Sequence, residues 1–202
     1  MSETKDRSYH HGDLRRALID TALAMLASDQ SWTFTLREVA RRTGVSHAAP
    51  YKHFQDREEL LRELARIGFI QLGETMTGAM SAEGCSVRMQ FVAGAQACID
   101  FALACPGLYR LMFSSDVDKT VDPHLHDAAM HTFGILLRLL EEGQRDGSFR
   151  TVAINALAAA SWAQVHGLAM LAINGQLLEE KVGASPVRAA LDVLLDGMCR
   201  RN

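Results

Sequence analysis

Apolar residues recur along this chain at helical spacing almost from end to end. From Asp13 onward, Leu14, Leu18, Ile19, Ala22, Leu23 and Leu26 form one stripe, which predicts a first helix ending near Ser28-Asp29-Gln30. Thr35 with Glu38 three residues on has the spacing of a capping box, and Leu36, Val39 and Ala40 give a short second helix its apolar side. Gly44 closes it. Ser46 is placed as the N-cap of a third short helix running to about Phe54, and Asp56 as the cap of a fourth with Leu60, Leu61, Leu64, Ile67 and Gly68 facing inward.

The second half repeats this grammar with longer helices. Val87 to Ala104 stops before Pro106, Leu108 to Phe113 makes a short apolar turn of helix, and Ser114 to Pro123 is a polar, acidic loop. A long helix runs from Pro123 to about Asp146, halted by Asp146-Gly147. Ile154 to Ile173 is apolar all round, which predicts burial in the core or at a subunit contact. Gly183-Ala184-Ser185-Pro186 breaks the chain before a final amphipathic helix, Val187 to Cys199. The pattern predicts an all-α protein of about nine helices without a strand. Met1 to Tyr9 reads as a frayed arm.

Composition narrows the class. With 202 residues, 48% hydrophobic and 22% charged, the chain has an ordinary globular balance. No uninterrupted run of about 18 apolar residues predicts a membrane span, and the polar start carries no secretory signal, so a cytoplasmic protein without a membrane partner is expected. The cysteines Cys85, Cys98, Cys105 and Cys199 have no CxxC spacing and read as reduced thiols. The net charge is −3, but residues 32–57 hold five basic groups (Arg37, Arg41, Arg42, Lys52, Arg57) against two acidic ones (Glu38, Asp56). Phosphate binding needs local rather than global positive charge; a solvated helix face would show the same excess.

Thr35 to Phe54 carries the functional signal. Two short helices joined by a turn containing Gly44 form a helix-turn-helix, whose second helix would put its N-terminal residues against base edges in the major groove. An ordinary helical hairpin is the competing reading. The wording of the stretch resembles the TetR family of bacterial transcriptional repressors over about Leu14 to Ile67. The matching features are Ala22-(x)3-Leu26, Thr35-Leu36-Arg37-Glu38-Val39-Ala40, Gly44-Val45-Ser46, Tyr51-Lys52-His53-Phe54 and Asp56-Arg57-Glu58-Glu59-Leu60-Leu61. Pro106 to Phe113 and Ser161 to Leu168 resemble a subgroup of that family named for its Trp-His-Gly sequence.

The resemblance implies two domains: a helix-turn-helix DNA-binding domain at 1–55 and a helical ligand-binding and dimerisation domain at 56–202. It implies that Thr35 and Arg37 hold a phosphate, that Ser46, His47, Ala48 and Ala49 face the groove, that Tyr51, Lys52 and His53 clamp the backbone, and that Arg57 reaches a phosphate. Dimerisation is implied through about 151–175 and 185–201, where Ala156, Ala158 to Ala160 and Ala163 permit close approach. Pro50 departs from the family's usual Leu. It cannot donate to the Ser46 carbonyl and disfavours the α region at Ala49, so an irregular start to the recognition helix is expected.

Phe101, Met112, Phe133, Trp162, His166 and Met170 are candidates for a ligand pocket, with core packing as the alternative for each. His124, His126 and His131 lack helical ligand spacing, and neither a metal nor a cofactor is expected. No GxxxxGK[ST], GxGxxG or HExxH occurs. The expected function is a sequence-specific transcriptional regulator and not an enzyme, released as a repressor from a near-palindromic DNA operator by a small molecule. The alternatives are a regulator without an inducer and a helical enzyme with an incidental helix-turn-helix.

Overall fold

A computed structural model describes residues 11–199 of the chain, with side chains from Asp13 onward. The arm Met1 to Tyr9 and the end of the 185–201 segment lie outside the described residues. The elements are α1 (His11–Asp29), α2 (Leu36–Thr43), α3 (Arg57–Met80), α4 (Val87–Ala104), α5 (Pro106–Met112), α6 (Pro123–Arg145), α7 (Ile154–Ile173), α8 (Glu179–Val182) and α9 (Pro186–Met198). A short 3-10 turn, Pro50–Lys52, sits between α2 and α3. Among the described residues the nearest approach to a sheet is one antiparallel bridge between Phe149 and Cys199.

Local chemistry explains most boundaries. The Glu38 amide donates to Thr35 Oγ1 at 3.2 Å while the Thr35 amide donates to Glu38 Oε2 at 2.6 Å, so both arms of the capping box are closed. Gly44 ends α2 at φ 79°, a left-handed conformation that costs glycine little. Asp56 accepts from the Glu59 amide at 2.7 Å and starts α3. Asp122 accepts from the His124 and Leu125 amides ahead of Pro123 and starts α6.

The third helix departs from expectation. Instead of an α-helix from Ser46 to Phe54, successive turns connect Ala49 N to Ser46 O, Lys52 N to Ala49 O, and His53 and Phe54 N to Pro50 O. Pro50 has no N–H for the Ser46 carbonyl, so the first helical bond is never made. Ala49, however, keeps α-helical angles (φ −62°, ψ −43°), so the proline shortens the segment without displacing its neighbour from the α region.

α3 packs against α4, α5 and α6, α4 against α7, and α7 against α9. One core runs without interruption from the first three helices into the larger domain: Leu18, Leu26, Phe54, Leu60 and Leu64 are continuous with Ile99, Tyr109, Leu111 and Met112. A second core gathers Phe91, Leu140, Phe149, Leu157 and Met198. α7 is less buried than its composition predicts. It carries no charged residue and is long and apolar enough, by length and composition, to cross a membrane, with a mean hydropathy of 1.4 and 28% of that stretch buried. Its inner face (Leu157, Ala158, Ser161, Leu168, Ala169) meets the core. Ala156, Ala159, Ala160, Trp162 and Ala163 stay exposed, as does Val193 of α9.

Candidate DNA head and ligand cavity

The head presents the sequence-predicted contact residues unevenly. Arg37, Ser46, His47, Ala48, Tyr51 and Lys52 are exposed, while Ala49 and His53 are half-buried. Phe54 is fully buried, with the Arg15 guanidinium 5.3 Å above its ring. Thr35 is exposed, but its hydroxyl is committed to the cap, lying 3.0 Å from the Glu38 carboxylate as well as accepting the Glu38 amide. Those two Thr35 bonds, backbone first, hold the Glu38 carboxyl below its ordinary value. The basic face therefore keeps an ionised acid at its edge.

Arg57, expected to reach a phosphate, is engaged by the protein's own backbone. Its Nε donates to the Phe34 carbonyl at 2.9 Å and its Nη2 to the Trp32 carbonyl. It fastens the loop between α1 and α2 to the start of α3, because those two carbonyls lie outside any helix and need donors. The Trp32 indole N–H in turn donates to Asp116 Oδ2 at 2.7 Å, on the loop after α5. A third tie is the buried Glu63, which accepts from Arg15 of α1 at 3.1 Å and from Arg66 at 2.8 and 3.0 Å. Burial alone would push the Glu63 carboxyl up, but the two guanidiniums more than offset this and hold it below the usual range.

The larger domain holds a partly open cavity of about 500 Å³ between α3, α4, α5, α6 and α7. Of the six pocket candidates, Phe133, Trp162 and His166 border it. Phe101, Met112 and Met170 lie outside its wall. Phe101 and Met112 are buried in the core, and Met112 presses on α3 at Gly68, where a Cβ would stand 2.6 Å from its sulfur. Met170 is half-buried against the same core. Sequence reasoning missed Phe69, Leu72, Met76, Met80, Phe91 and Lys119 as wall residues. The α3 members repeat at helical spacing, which marks a shared face but does not tell lining from packing.

The Nδ1 of His166 lies 3.0 Å from the Tyr109 hydroxyl, and its ring is tilted against Phe113 at 4.6 Å between centroids. Burial pushes the imidazole down, toward the neutral form. Burial pushes the Cys98 thiol up to about 11 and raises the Tyr109 phenol as well, so both remain protonated. Among the described residues no three His, Cys, Asp or Glu side chains converge to hold a metal ion. His124 and His131 instead border a polar groove shared with Arg15, Glu63 and Arg66.

α5 and the loop after it touch both sites. Tyr109 and Phe113 stand in the cavity wall. At the start of the same helix Gly107 rests on the end of α1, where a Cβ would come within 2.4 Å of the Leu26 carbonyl oxygen. Lys119 borders the cavity three residues after the Trp32 partner Asp116.

Two family models match the chain. Residues 18–64 match the model for "Bacterial regulatory proteins, tetR family", and residues 91–198 match "Tetracyclin repressor-like, C-terminal domain". An uncharacterized HTH-type transcriptional regulator of Haemophilus influenzae is 38% identical over 66 residues, 32% of each chain, so the match spans about a third of that relative's length. A solved protein of unknown function from Rhodococcus sp. RHA1 superposes with a TM-score of 0.84 at 34% identity, covering 96% of this chain and 100% of that one. A TetR family transcription regulator from Marinobacter aquaeolei VT8 superposes with a TM-score of 0.66 at 18% identity over 93% of this chain and 96% of its own, a likeness of fold.

Proposed function

The chain belongs to the tetR family of bacterial regulatory proteins, and on that premise we propose that it is a dimeric, ligand-responsive repressor rather than an enzyme. It acts in the cytoplasm on a near-palindromic operator. Residues 1–55 form the DNA-binding unit and 56–202 the ligand-binding and dimerisation unit. Arg37, Ser46, His47, Ala48, Tyr51 and Lys52 meet the DNA, with phosphate contacts from Arg37, Tyr51 and Lys52. Ala49 and His53 support them, and Thr35 contributes chiefly through its cap. Arg57 acts as a fastener of the head, not as a phosphate ligand. With Ala48 and Ala49 in the groove few bases are read through hydrogen bonds, so DNA shape supplies part of the specificity.

The observation that carries the reading is the double contact of α5 and its following loop, which face the cavity at Tyr109, Phe113 and Lys119 and the head at Gly107 and Asp116. A ligand that repacks the cavity wall has a short physical route to the head's tilt. Two heads must enter major grooves about 34–36 Å apart, so a small tilt on each subunit lowers affinity. The exposed apolar faces of α7 and α9 are what a second copy would cover, and alanine at 156, 159, 160 and 163 lets helices approach closely.

The test is selection of sites from random duplex DNA with the purified protein at physiological salt. A motif with two-fold symmetry is expected. Arg37→Ala and Lys52→Ala should each weaken binding across all sequences and lower the salt slope by about one. Enrichment of an asymmetric single site, or an unchanged salt slope in both variants, would overturn the dimeric mode or the phosphate assignments respectively.

A further inference from the structure

The cavity wall is chemically one-sided. Along α3, Phe69, Leu72, Met76 and Met80 line one face from position 69 to position 80, a rise of roughly 16 Å, so the apolar track is long rather than round. Methionine on that track adapts its shape to the chain lying against it. Most polar groups in the wall already have partners. Thr132 donates toward the Phe69 and Ala128 carbonyls at 2.8 and 2.9 Å, Ser161 donates to the Leu157 carbonyl at 2.8 Å, and the Tyr109 hydroxyl is paired with His166. Among the described residues no aspartate or glutamate borders the space.

Lys119 is the one cation among the described wall residues. It stands at the end of the track nearest the head, with Nζ 5.9 Å from the centroid of the Phe69 ring. It is half-buried, and among the described residues no carboxylate lies within ion-pair distance of it. Its neighbour Asp118 is turned to the backbone N–H and hydroxyl of Thr120, at 2.8 and 2.7 Å. Burial draws the ammonium's pKa down, only partly countered by Asp118. A neutral ligand would desolvate this cation further without a partner, and a cationic one would add a second uncompensated charge. An anionic head group supplies the missing partner while the rest of the molecule stays apolar.

We propose that the cavity takes an elongated apolar monocarboxylate, with its carboxylate against Lys119 and its tail running along α3 toward Met80. The inference rests on the ligand-responsive reading for its consequence on DNA, but the binding site stands on the wall chemistry alone. Capture of Lys119 by a carboxylate also engages the loop that carries Asp116, and so the Trp32 contact with the head.

The experiment uses the full chain and three probes of matched tail: decanoate, decanol and decyltrimethylammonium. Binding is followed by calorimetry and by the shift of the melting midpoint. Decanoate is expected to bind best, with decanol weaker by about tenfold or more, the size of a lost hydrogen bond to a charged group. Decyltrimethylammonium should not bind. Lys119→Gln should cost decanoate about the same factor and leave decanol unchanged, and Lys119→Arg should keep the preference for the acid. Equal binding of decanol and decanoate, an unchanged decanoate affinity in Lys119→Gln, or no binding by any probe overturns the proposal. Operator affinity measured on the same samples separates the two layers. Decanoate that binds through Lys119 yet leaves DNA affinity unchanged sinks the ligand-responsive reading while the carboxylate site stands. Decanol that binds equally well and releases DNA does the reverse.

Discussion

The head and the cavity domain share α3 but solve opposite packing problems. In the head, local polar groups close nearly every turn: Thr35 with Glu38, Gly44, Asp56 with the Glu59 amide, and Arg57 on the Trp32 and Phe34 carbonyls. Its apolar residues Leu18, Leu26, Phe54, Leu60 and Leu64 are fully buried. In the larger domain, long helices meet through aromatic and methionine side chains and leave about 500 Å³ open between them. A close-packed body transmits displacement because its contacts have no slack, whereas an open, adaptable wall accepts a ligand because its contacts do. A regulator needs both, and the joint between them is where substitutions should separate the two behaviours.

The largest effect is expected at that joint. Gly107→Ala would force a methyl group to within 2.4 Å of the Leu26 carbonyl oxygen and 3.2 Å of Gln30 Cα. Backbone cannot rotate aside as a side chain can, so α5 must lift from α1. Overpacking of this kind costs about 1–3 kcal/mol, read as a lower urea midpoint at fixed protein concentration. Gly78→Ala is the control: the same substitution in α3, with nothing within 4 Å of the new Cβ. It should stabilise by about 0.5–1 kcal/mol, because alanine loses less backbone freedom in a helix. Equal and small effects at both positions would mean that α5 is not seated tightly on the head.

The same contrast explains what the sequence made legible. The head is written locally. A capping box spans four residues, a helix-ending glycine is one residue, and Pro50 announces its own irregularity, so α1, α2 and the start of α3 could be placed from spacing alone. The extent of that irregularity was not legible, because whether an α-helix recovers after Pro50 depends on how Phe54 and the loop pack. Arg57 shows a related ambiguity. A guanidinium can meet a phosphate or a pair of carbonyls, and only the fold brings Trp32 and Phe34 within its reach. The cavity is written globally: its wall joins Phe69 to His166 across nearly a hundred positions. Apolar lining and apolar core share one vocabulary, which is why Phe101, Met112 and Met170 looked as eligible as Phe133, Trp162 and His166. α7 shows the limit from the other side, since an all-apolar helix does not reveal which of its faces this chain covers.

A second substitution probes the slack directly. Ala129 is half-buried in the cavity wall, on α6. Ala129→Leu should fill part of the space and raise stability by about 0.5–2 kcal/mol, the usual return of cavity filling, while weakening decanoate binding. The sign is opposite to that at Gly107, although both changes add apolar volume. A destabilised Ala129→Leu protein would show that the cavity wall is as closely packed as the head.

The smallest effect lies in the ionic tie, and its pH dependence identifies it. Arg15 and Arg66 hold the Glu63 carboxyl below its ordinary value of 4.5, against the upward push of burial. A carboxyl whose folded value is depressed adds stability that is fully present above the unfolded value and is lost as pH falls through the folded one. Both guanidiniums keep contact with water, so the tie contributes at most about 1 kcal/mol. Glu63→Gln should therefore unfold slightly earlier than the parent at pH 7, and the gap should close as the pH is lowered below 4.5. The pairs on exposed residues, such as Arg42 with Asp29, are present in both proteins and cancel in the difference. A gap that persists unchanged into acid would mean that Glu63 holds α1 to α3 through shape and neutral hydrogen bonds. The head would then lack an ionic hinge, and its connection to the cavity domain would rest on α5, the Asp116 loop and the continuous core alone.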